Sequence, residues 1–242
     1  MKIGAKIIRL ESIDSTNNYV ANLAKQGKID SGTVVLADEQ FAGKGQRGSQ
    51  WSANAGENLT FSVYLENVNL SVKHQFVLTQ LISLSLVDLL QKFKIKAKIK
   101  WPNDIFVGEK KIAGVLIENQ LAGAQIRSSI IGVGLNVNQE LFSEFSATSL
   151  LLENETRRIP FDVLLSCIDS FNEFSAEFST LSVGKIKEKY LNQLYLFEEL
   201  ANYEDAKGKF KGRIIDVLDS GRIVLNVENE RREYDLKEII FG

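Results

Sequence analysis

The glycine-rich stretch FAGKGQRGSQW, residues 41–51, is the feature that most constrains how this chain can fold. Gly43, Gly45 and Gly48 spell G-x-G-x-x-G, and Glu66 follows at about the 20-residue distance where a dinucleotide-binding fingerprint places an acid. A Rossmann-type site also needs a helix that starts within the motif, because its first N–H groups bind the pyrophosphate. Here the motif is followed by SQWSANAGENLTFSVYL, which turns into a strand pattern. We therefore expect a loop between two strands and no Rossmann unit.

The composition of this loop indicates an anionic ligand. Lys44, Gln46 and Arg47 alternate with the glycines, and Trp51 follows them. Glycine lets backbone N–H groups approach an anion closely, and Lys and Arg neutralise its charge. The loop therefore suits a phosphate-bearing, partly apolar ligand. A flexible hairpin loop without a ligand is the alternative, and a P-loop is excluded because G-x-x-x-x-G-K-[ST] does not occur.

Composition and charge exclude several classes of protein. The chain has 242 residues, of which 44% are hydrophobic and 25% charged, so we expect a packed core. A net charge of −2 argues against nucleic-acid binding through bulk charge. A single cysteine, Cys167, excludes an internal disulfide and a cysteine-based metal cluster, and fits a cytoplasmic location. The N-terminus lacks the apolar run of a signal peptide, and the longest apolar-rich stretch, FVLTQLISLSLVDLL, is interrupted by polar residues, so we expect no membrane span.

Short strand patterns alternate with helical patterns along most of the chain. Alternating or β-rich runs predict strands at 6–10, 33–40, 58–65, 96–101, 105–107, 111–119 and 126–138. Apolar residues at helical spacing predict helices at 16–26, 73–93, 160–178 and 184–195. Asp14 and Ser15 are good N-cap residues for the first helix, and Gly27 can close it.

The pattern changes after Leu196. The segment FKGRIIDVLDSGRIVLNVENERREYDLKEII contains several short strands and turn signals and no helical period. It predicts a small β-barrel. We therefore divide the chain into a ligand-binding domain, residues 1–194, and a C-terminal β domain, residues 195–242.

Four further segments occur in a specific order with the glycine loop. They are DSTN (14–17), KWPND (100–104), KKIAGVLIE (110–118) and GVGLNVN (132–138). Together these segments resemble the catalytic module of biotin–protein ligases over residues 10–138. The resemblance implies an α+β fold, with a mixed β-sheet and flanking helices of the class II aminoacyl-tRNA synthetase type, followed by an SH3-like barrel.

The resemblance also implies a two-step reaction. Biotin and ATP, which enters with Mg²⁺, give biotinyl-5′-AMP and pyrophosphate. A lysine of a biotin carboxyl carrier domain then takes the biotinyl group as an amide. The implied partners are biotin, ATP and the carrier domain, with no DNA, no membrane and no metal site of the chain's own, and a homodimer is compatible with the family.

The family's functional positions carry over by motif register. Lys111 aligns with the lysine between the biotin carboxylate and the α-phosphate, Asp104 with the residue that orients or deprotonates the acceptor lysine, and Arg47 with a catalytic arginine. The biotin-binding positions are Ser15, Thr16, Asn17, Gln40, Gly43, Lys44, Gly45, Gln46, Lys111, Gly114, Leu116 and Gly134. The adenylate-binding positions are Lys44, Gln46, Arg47, Trp51, Asn103, Lys111 and Asn136.

Several of these positions also have a plain structural interpretation. The DSTN segment can be only a helix cap, P-N-D only a turn, and Gly114 only a close approach of two backbones. Lys100 can bind phosphate or merely cover the strand. His74, the only histidine, is expected to be a surface or packing residue.

The glycine loop departs from the family pattern. Many members carry arginines where this chain has Lys44, Gln46 and Ser49, and only Arg47 keeps a guanidinium. Gln46 can donate a hydrogen bond but cannot neutralise a phosphate. We therefore expect this loop to hold the adenylate with less charge.

Three alternative functions stay open from the sequence. Lipoate or octanoate transfer uses a related fold with a different acid pocket. A biotin-responsive regulator would need a DNA-binding domain, and the first strand pattern by residue 6 leaves no room for a helix-turn-helix before it. An inactive scaffold would bind ATP and biotin without labelling a carrier.

Overall fold

The computed structural model describes residues 2–142, 146–178 and 180–242 of the chain. A seven-stranded mixed sheet forms the larger part, and a five-stranded antiparallel sheet follows it. Helices flank the larger sheet, so the expected α+β class is confirmed. Among the described residues, no helix is both long and apolar enough to cross a membrane.

The larger sheet has the strand order β1-β2-β3-β7-β6-β5-β4. Its strands are β1 (Ile7–Ile13), β2 (Val34–Gln40), β3 (Leu59–Ser71), β4 (Lys98–Lys100), β5 (Asp104–Val107), β6 (Lys110–Ala122) and β7 (Gln125–Leu135). β1 and β2 pair in parallel, and every other neighbouring pair is antiparallel. The glycine-rich stretch connects β2 to β3, as expected for a loop between strands.

Strand β3 is longer than its alternating pattern predicts. The expected strand ends at residue 65, whereas the observed one continues to Ser71. Asn67 and Asn69 both have a φ of 53°, and the register with β7 shifts between Glu66 and Leu70. Asn tolerates this left-handed conformation better than most residues. The resulting bulge breaks the alternation, which is why the pattern ends early.

The helices are distributed unevenly over the two faces of the larger sheet. Their bounds are α1 (Thr16–Lys25), α2 (Phe76–Lys92), α3 (Leu150–Asn154), α4 (Pro160–Phe178) and α5 (Val183–Gln193). α2, α4 and α5 pack together over one face and bury the main hydrophobic core. The expected helix at 73–93 begins later, because residues 72–74 form a 3₁₀ turn. His74 lies in that turn, with its Nδ1 3.4 Å from Asp219 Oδ2.

Helix α1 packs on the opposite face of the sheet and covers only part of it. Val20 of α1 packs against Val35, Tyr64 and Ile130 in a small second core. The remaining part of this face, over β3, β7, β6 and β5, carries glycines and polar residues. This uncovered part forms the candidate site.

The C-terminal sheet is antiparallel, with the order β11-β10-β9-β8-β12. Its strands are β8 (Ala201–Asp205), β9 (Gly208–Val217), β10 (Ile223–Val227), β11 (Glu230–Tyr234) and β12 (Ile240–Phe241). Over the described residues, β11 and β12 end the sheet without pairing with each other, so the sheet is open. It packs against the larger part of the molecule where Trp101 Nε1 donates to the Gly221 carbonyl oxygen at 2.8 Å.

Candidate active site

Three glycines on adjacent strands form the floor of a trench on the uncovered face. Gly114 of β6 lies opposite Gly134 of β7, and Gly132 of β7 lies opposite Leu116 of β6. Residues two apart in a strand lie on the same face of the sheet. Because these three neighbouring positions are glycines, that part of the face carries no side chains. A cavity of about 250 Å³ lies over them.

The steric reason for glycine is clear at two of these positions. A Cβ atom on Gly134 would lie 2.3 Å from Cε2 of the Trp51 ring, and one on Gly132 would lie 2.5 Å from Asn17 Oδ1. Both distances are far below van der Waals contact. The Trp51 ring and the Asn17 amide therefore rest directly on the backbone of β7.

Hydroxyl and amide groups from the start of α1 line one end of the trench. The Thr16 N–H and hydroxyl donate to Gln40 Oε1 at 2.7 and 3.0 Å. Ser62 Oγ lies 2.6 Å from Asn17 Oδ1 and 2.7 Å from Thr16 Oγ1. Ser15 occupies the N-cap position with an extended backbone, and its side chain makes no capping bond. This end of the trench therefore combines buried donors and acceptors in fixed positions.

The glycine loop folds as a short hairpin along one wall of the trench. Gly45 N–H donates to the Ser49 carbonyl at 2.8 Å, and Trp51 N–H donates to the Gly43 carbonyl at 3.0 Å. The Lys44 ammonium donates to Asn18 Oδ1 at 2.5 Å, which connects the loop to α1. The side chain of Arg47 lies outside the described part of the structure.

The Asn18 amide also donates to Asp14, at 2.5 Å from Oδ2. This hydrogen bond, together with the nearby charge of Lys44, holds the pKa of Asp14 below its ordinary value, against a smaller effect of desolvation. Asp14 is therefore an ionised anchor for the loop wall.

A charged pair lies at the other end of the trench. Lys111 Nζ is 2.7 Å from Asp104 Oδ1, and each side chain is about one third exposed, at 33% and 34%. The Lys111 ammonium also lies 5.6 Å from the centre of the Trp51 ring. A cation, a carboxylate and an aromatic ring therefore meet beside Gly114.

Lys100 lies behind this pair. It is the cross-strand partner of Asp104, and its ammonium lies 4.7 Å from the Phe106 ring centre and 5.3 Å from that of Phe241. Burial lowers the pKa of Lys100 and Lys111 lowers it further, while Asp104 opposes the shift. Lys100 does not line the cavity, so its position favours the interpretation that it covers neighbouring side chains.

Asn103 is buried in the wall of the trench. Its Nδ2 donates to the Val115 carbonyl of β6. The turn before it is supported by α5, because the Tyr190 hydroxyl donates to the Pro102 carbonyl at 2.8 Å. The KWPND segment is therefore a rigid support for Asp104.

Most of the residues expected from the sequence line the cavity together. These are Ser15, Thr16, Asn17, Gln40, Lys44, Gly45, Gln46, Trp51, Asn103, Asp104, Lys111, Gly114, Leu116 and Gly134. Gly43 does not line it: a Cβ there would face the Trp51 carbonyl oxygen at 2.4 Å.

Asn136 also lies off the cavity wall. Its buried Nδ2 donates to the Thr148 carbonyl at 2.9 Å. The amide therefore connects the segment after β7 to the segment before α3, and the expected role of Asn136 beside a nucleotide stays a prediction.

Other residues that line the cavity were not expected from the sequence. They are Ser49, Gln50, Phe61, Trp101, Pro102, Val115, Gly132, Val133, Leu236 and Lys237. Gly132 could have been predicted from the sequence, since it belongs to the same GVG segment as Gly134. Leu236 and Lys237 lie in the turn between β11 and β12, and no local pattern signals their approach.

Among the described residues, no three His, Cys, Asp or Glu side chains come close enough together to hold a metal ion. Cys167 is fully buried, and burial raises the pKa of its thiol well above the ordinary value. A buried neutral thiol is a packing group.

Comparison with known sequences connects this site to a family. The profile of the biotin/lipoate A/B protein ligase family matches residues 10–136. The bifunctional ligase/repressor BirA of Bacillus spizizenii is 34% identical over 139 residues, which are 57% of this chain and 42% of that protein. This chain thus matches less than half the length of that relative. The biotin–[acetyl-CoA-carboxylase] ligase of Paracoccus denitrificans is 26% identical over 96% of this chain and 99% of that protein.

The fold is similar to solved structures over nearly the whole chain. Biotin protein ligase from Aquifex aeolicus, solved in complex with biotin and ATP, superposes with a TM-score of 0.80 at 27% identity. The superposition covers 98% of this chain and 100% of that one. The C-terminal sheet is therefore part of the shared architecture.

Proposed function

Because this chain belongs to the biotin/lipoate A/B protein ligase family, we propose that it is a biotin–protein ligase. It activates biotin with ATP to biotinyl-5′-AMP and transfers the biotinyl group to a lysine of a biotin carboxyl carrier domain. The observation that carries this proposal is the trench itself. Buried amides and hydroxyls line one end, a lysine–carboxylate pair lies at the other, and glycines form the floor between them.

The polar end suits the ring of biotin. A cyclic urea offers a carbonyl acceptor and two N–H donors, and leaving one of them unpaired in a buried site costs about 1–3 kcal/mol. Asn17, Thr16 and Gln40 supply both kinds of group within one cluster. The side-chain-free floor leaves room for the tail that leads to the carboxylate.

The charged end suits adenylate chemistry. The carboxylate of the substrate is itself the nucleophile, so the first step requires positioning and charge neutralisation more than a general base. Lys111 supplies a cation to the substrate carboxylate and the α-phosphate, and Trp51 offers a face to the nucleotide. Lys44, Gln46 and Arg47 are proposed to contribute from the loop, and Asn103 from the opposite wall.

Mg²⁺ is proposed to arrive with ATP. The described residues offer no metal cluster, so the ion would be held chiefly by the phosphates. It would supply charge neutralisation there, and the roles of the side chains do not depend on its position.

Asp104 is proposed to act in the second step. The acceptor lysine must lose a proton to attack the adenylate, and Asp104 places a carboxylate in the wall of the cavity. The release of Lys111 to the anionic substrate would free Asp104 to orient the incoming ammonium group. Asp104 and Lys111 thus exchange partners between the two steps.

Finer expectations on organisation belong to the same proposal. We propose that residues 195–242 are a separate SH3-like domain, supported by five short antiparallel strands and by stacking of Tyr203 on Phe210. A cytoplasmic location is supported by the use of ATP. A homodimer through a sheet edge is supported by β1, which is an edge strand of the larger sheet. No DNA partner is proposed.

Intact mass spectrometry tests the proposal. The protein is incubated with biotin, MgATP and a carrier domain, and a biotinyl mass should be added to one carrier lysine. A carrier that never gains this mass contradicts the function. Competition by free lipoate against labelled biotin tests the related acyl-transfer function, and lipoate should not compete.

A further inference from the structure

The segment KKIAGVLIE ends on Glu118, a residue with no role in the site described so far. Gly114, Leu116 and Glu118 alternate along β6, so all three face the side that carries the trench. Glu118 Oε2 lies 2.7 Å from Asn17 Nδ2. Glu118 is exposed, whereas Asn17 is buried and lines the cavity. Glu118 therefore reaches the cavity only through Asn17.

The Asn17 amide is held on three sides. An ionised carboxylate can only accept hydrogen bonds, so the NH₂ end of the amide must face Glu118. Ser62 Oγ lies 2.6 Å from the oxygen end, on the side of β3. Gly132 lies beneath, since a Cβ there would be 2.5 Å from Asn17 Oδ1. The amide therefore presents an acceptor toward β3 and a donor toward β6.

The amide of Gln40, at the same end of the trench, has its orientation fixed in the same way. The backbone N–H of Thr16 can only donate, and it lies 2.7 Å from Gln40 Oε1. The Gln40 NH₂ group must then face away, toward Gly43. Each amide of the polar end is thus oriented by a neighbour whose hydrogen-bonding direction cannot change.

We infer that Glu118 is a positioning residue for recognition of a cyclic urea, because it fixes the orientation of the Asn17 amide. This inference rests on the proposed function. A urea places one carbonyl acceptor and two N–H donors in a fixed arrangement. A rotation of the Asn17 amide by 180° exchanges its oxygen and its NH₂ group. A donor of the amide would then face a donor of the urea, or an acceptor would face an acceptor. Glu118 makes that rotation costly, since it would bring the amide oxygen against a carboxylate oxygen.

Replacing Glu118 with glutamine removes this restriction and keeps the size of the side chain. The introduced amide can donate to Asn17 Oδ1, and Ser62 Oγ can then accept from Asn17 Nδ2. Both orientations of Asn17 become satisfied in the free protein. Only one of them matches the ligand, so E118Q binds biotin less tightly without losing its packing.

Calorimetry with biotin and with ATP tests the inference. E118Q should bind biotin about twofold more weakly, because two equally satisfied orientations halve the population that can bind, and its ATP affinity and thermal midpoint should stay close to the wild type. Asn17→Ala should also weaken biotin binding, and the double variant should bind no more weakly than N17A, because Glu118 acts through Asn17. Glu109→Gln removes the same charge from an exposed turn of the same hairpin and should bind biotin like the wild type.

A measurement on the ligand-free protein distinguishes failure of this inference from failure of the proposed function. In ¹⁵N spectra, the side-chain NH₂ signals of Asn17 should shift and exchange faster with water in E118Q, but not in E109Q. Unchanged Asn17 signals, or equal biotin affinities of E118Q and the wild type, overturn the inference alone. A wild-type protein that binds no biotin overturns the proposed function and this inference with it.

Discussion

Lys111 and Asp104 form an ion pair of 2.7 Å whose two members belong to adjacent strands, β6 and β5. The pair lies at one end of the trench, beside Gly114. An anionic substrate that enters must compete with Asp104 for the ammonium group. The two partners should therefore affect different steps of the proposed reaction.

Lys111→Ala should greatly lower the rate of the first step, the formation of the adenylate. A unit charge pair near 4 Å contributes roughly 4 kcal/mol at an effective dielectric of about 20, so adenylate formation should fall by about two to three orders of magnitude. Pyrophosphate exchange measures this step without a carrier. Lys110→Ala, at the exposed neighbouring position, is the matched control and should stay active. Full first-step activity in K111A would show that the assigned role is wrong.

Asp104→Asn should spare the first step and slow the second. An amide can still bond to Lys111 through its oxygen, but it cannot take a proton from the acceptor lysine. Transfer from preformed biotinyl-5′-AMP to the carrier should slow by about a hundredfold, the scale of general-base catalysis. Single-turnover labelling measures this, with Asp169→Asn on the exposed face of α4 as the control. Equal loss in both steps would contradict a role confined to transfer.

Gln46→Arg should lengthen the lifetime of bound adenylate. Gln46 lines the cavity and carries no charge, and a guanidinium there can bond to the phosphate through two N–H groups. Dissociation of biotinyl-5′-AMP should slow by about threefold or more. Gln91→Arg adds the same charge at an exposed site near the end of α2 and controls for net charge. Equal dissociation rates for Q46R and the wild type would refute the idea.

Gly134→Ala should displace the Trp51 ring. The added methyl group would lie 2.3 Å from that ring, and overpacking of this kind costs typically about 1–3 kcal/mol. Urea denaturation should show the loss of stability, and tryptophan fluorescence should show the movement of the ring. Gly184→Ala is the matched control, because the nearest atom to a Cβ there is 3.9 Å away. A stable G134A protein with unchanged fluorescence would contradict the close approach.

Lys100→Met should change how stability depends on pH. Burial lowers the pKa of Lys100 from its ordinary value of 10.5. As pH rises through the lowered value, the native state releases its proton before the unfolded state does, so this lysine destabilises the wild type less at high pH. The stability of K100M relative to the wild type should therefore fall from pH 7 toward pH 10 in urea denaturation. A constant difference would contradict the shift, and the exposed Lys96→Met variant serves as the comparison.

The sequence predicted the elements whose signals are local. Helix α4 has the expected bounds, 160–178, because Pro160 begins it and its apolar spacing is regular. The strands on both sides of the glycine loop also lie where their apolar runs predict them, with β2 at Val34–Gln40 and β3 starting at Leu59. Helix α3 was not predicted, since five residues, Leu150–Asn154, are too few for a period to show.

The remainder of the site depends on contacts between distant segments. Asn136 belongs to a matching motif, yet its amide bonds to Thr148 and not to the cavity. Leu236 reaches the cavity only because the C-terminal sheet packs against Trp101. Such placements follow from tertiary packing, which no window of the sequence contains.

The glycine floor also limits how this site can diverge. At Gly114, Gly132 and Gly134 every substitution adds atoms, and none can remove them. Single mutations at the floor can therefore only shrink the space above it. A descendant could come to accept a slimmer acid by such a change, whereas acceptance of a bulkier one would have to originate in the walls.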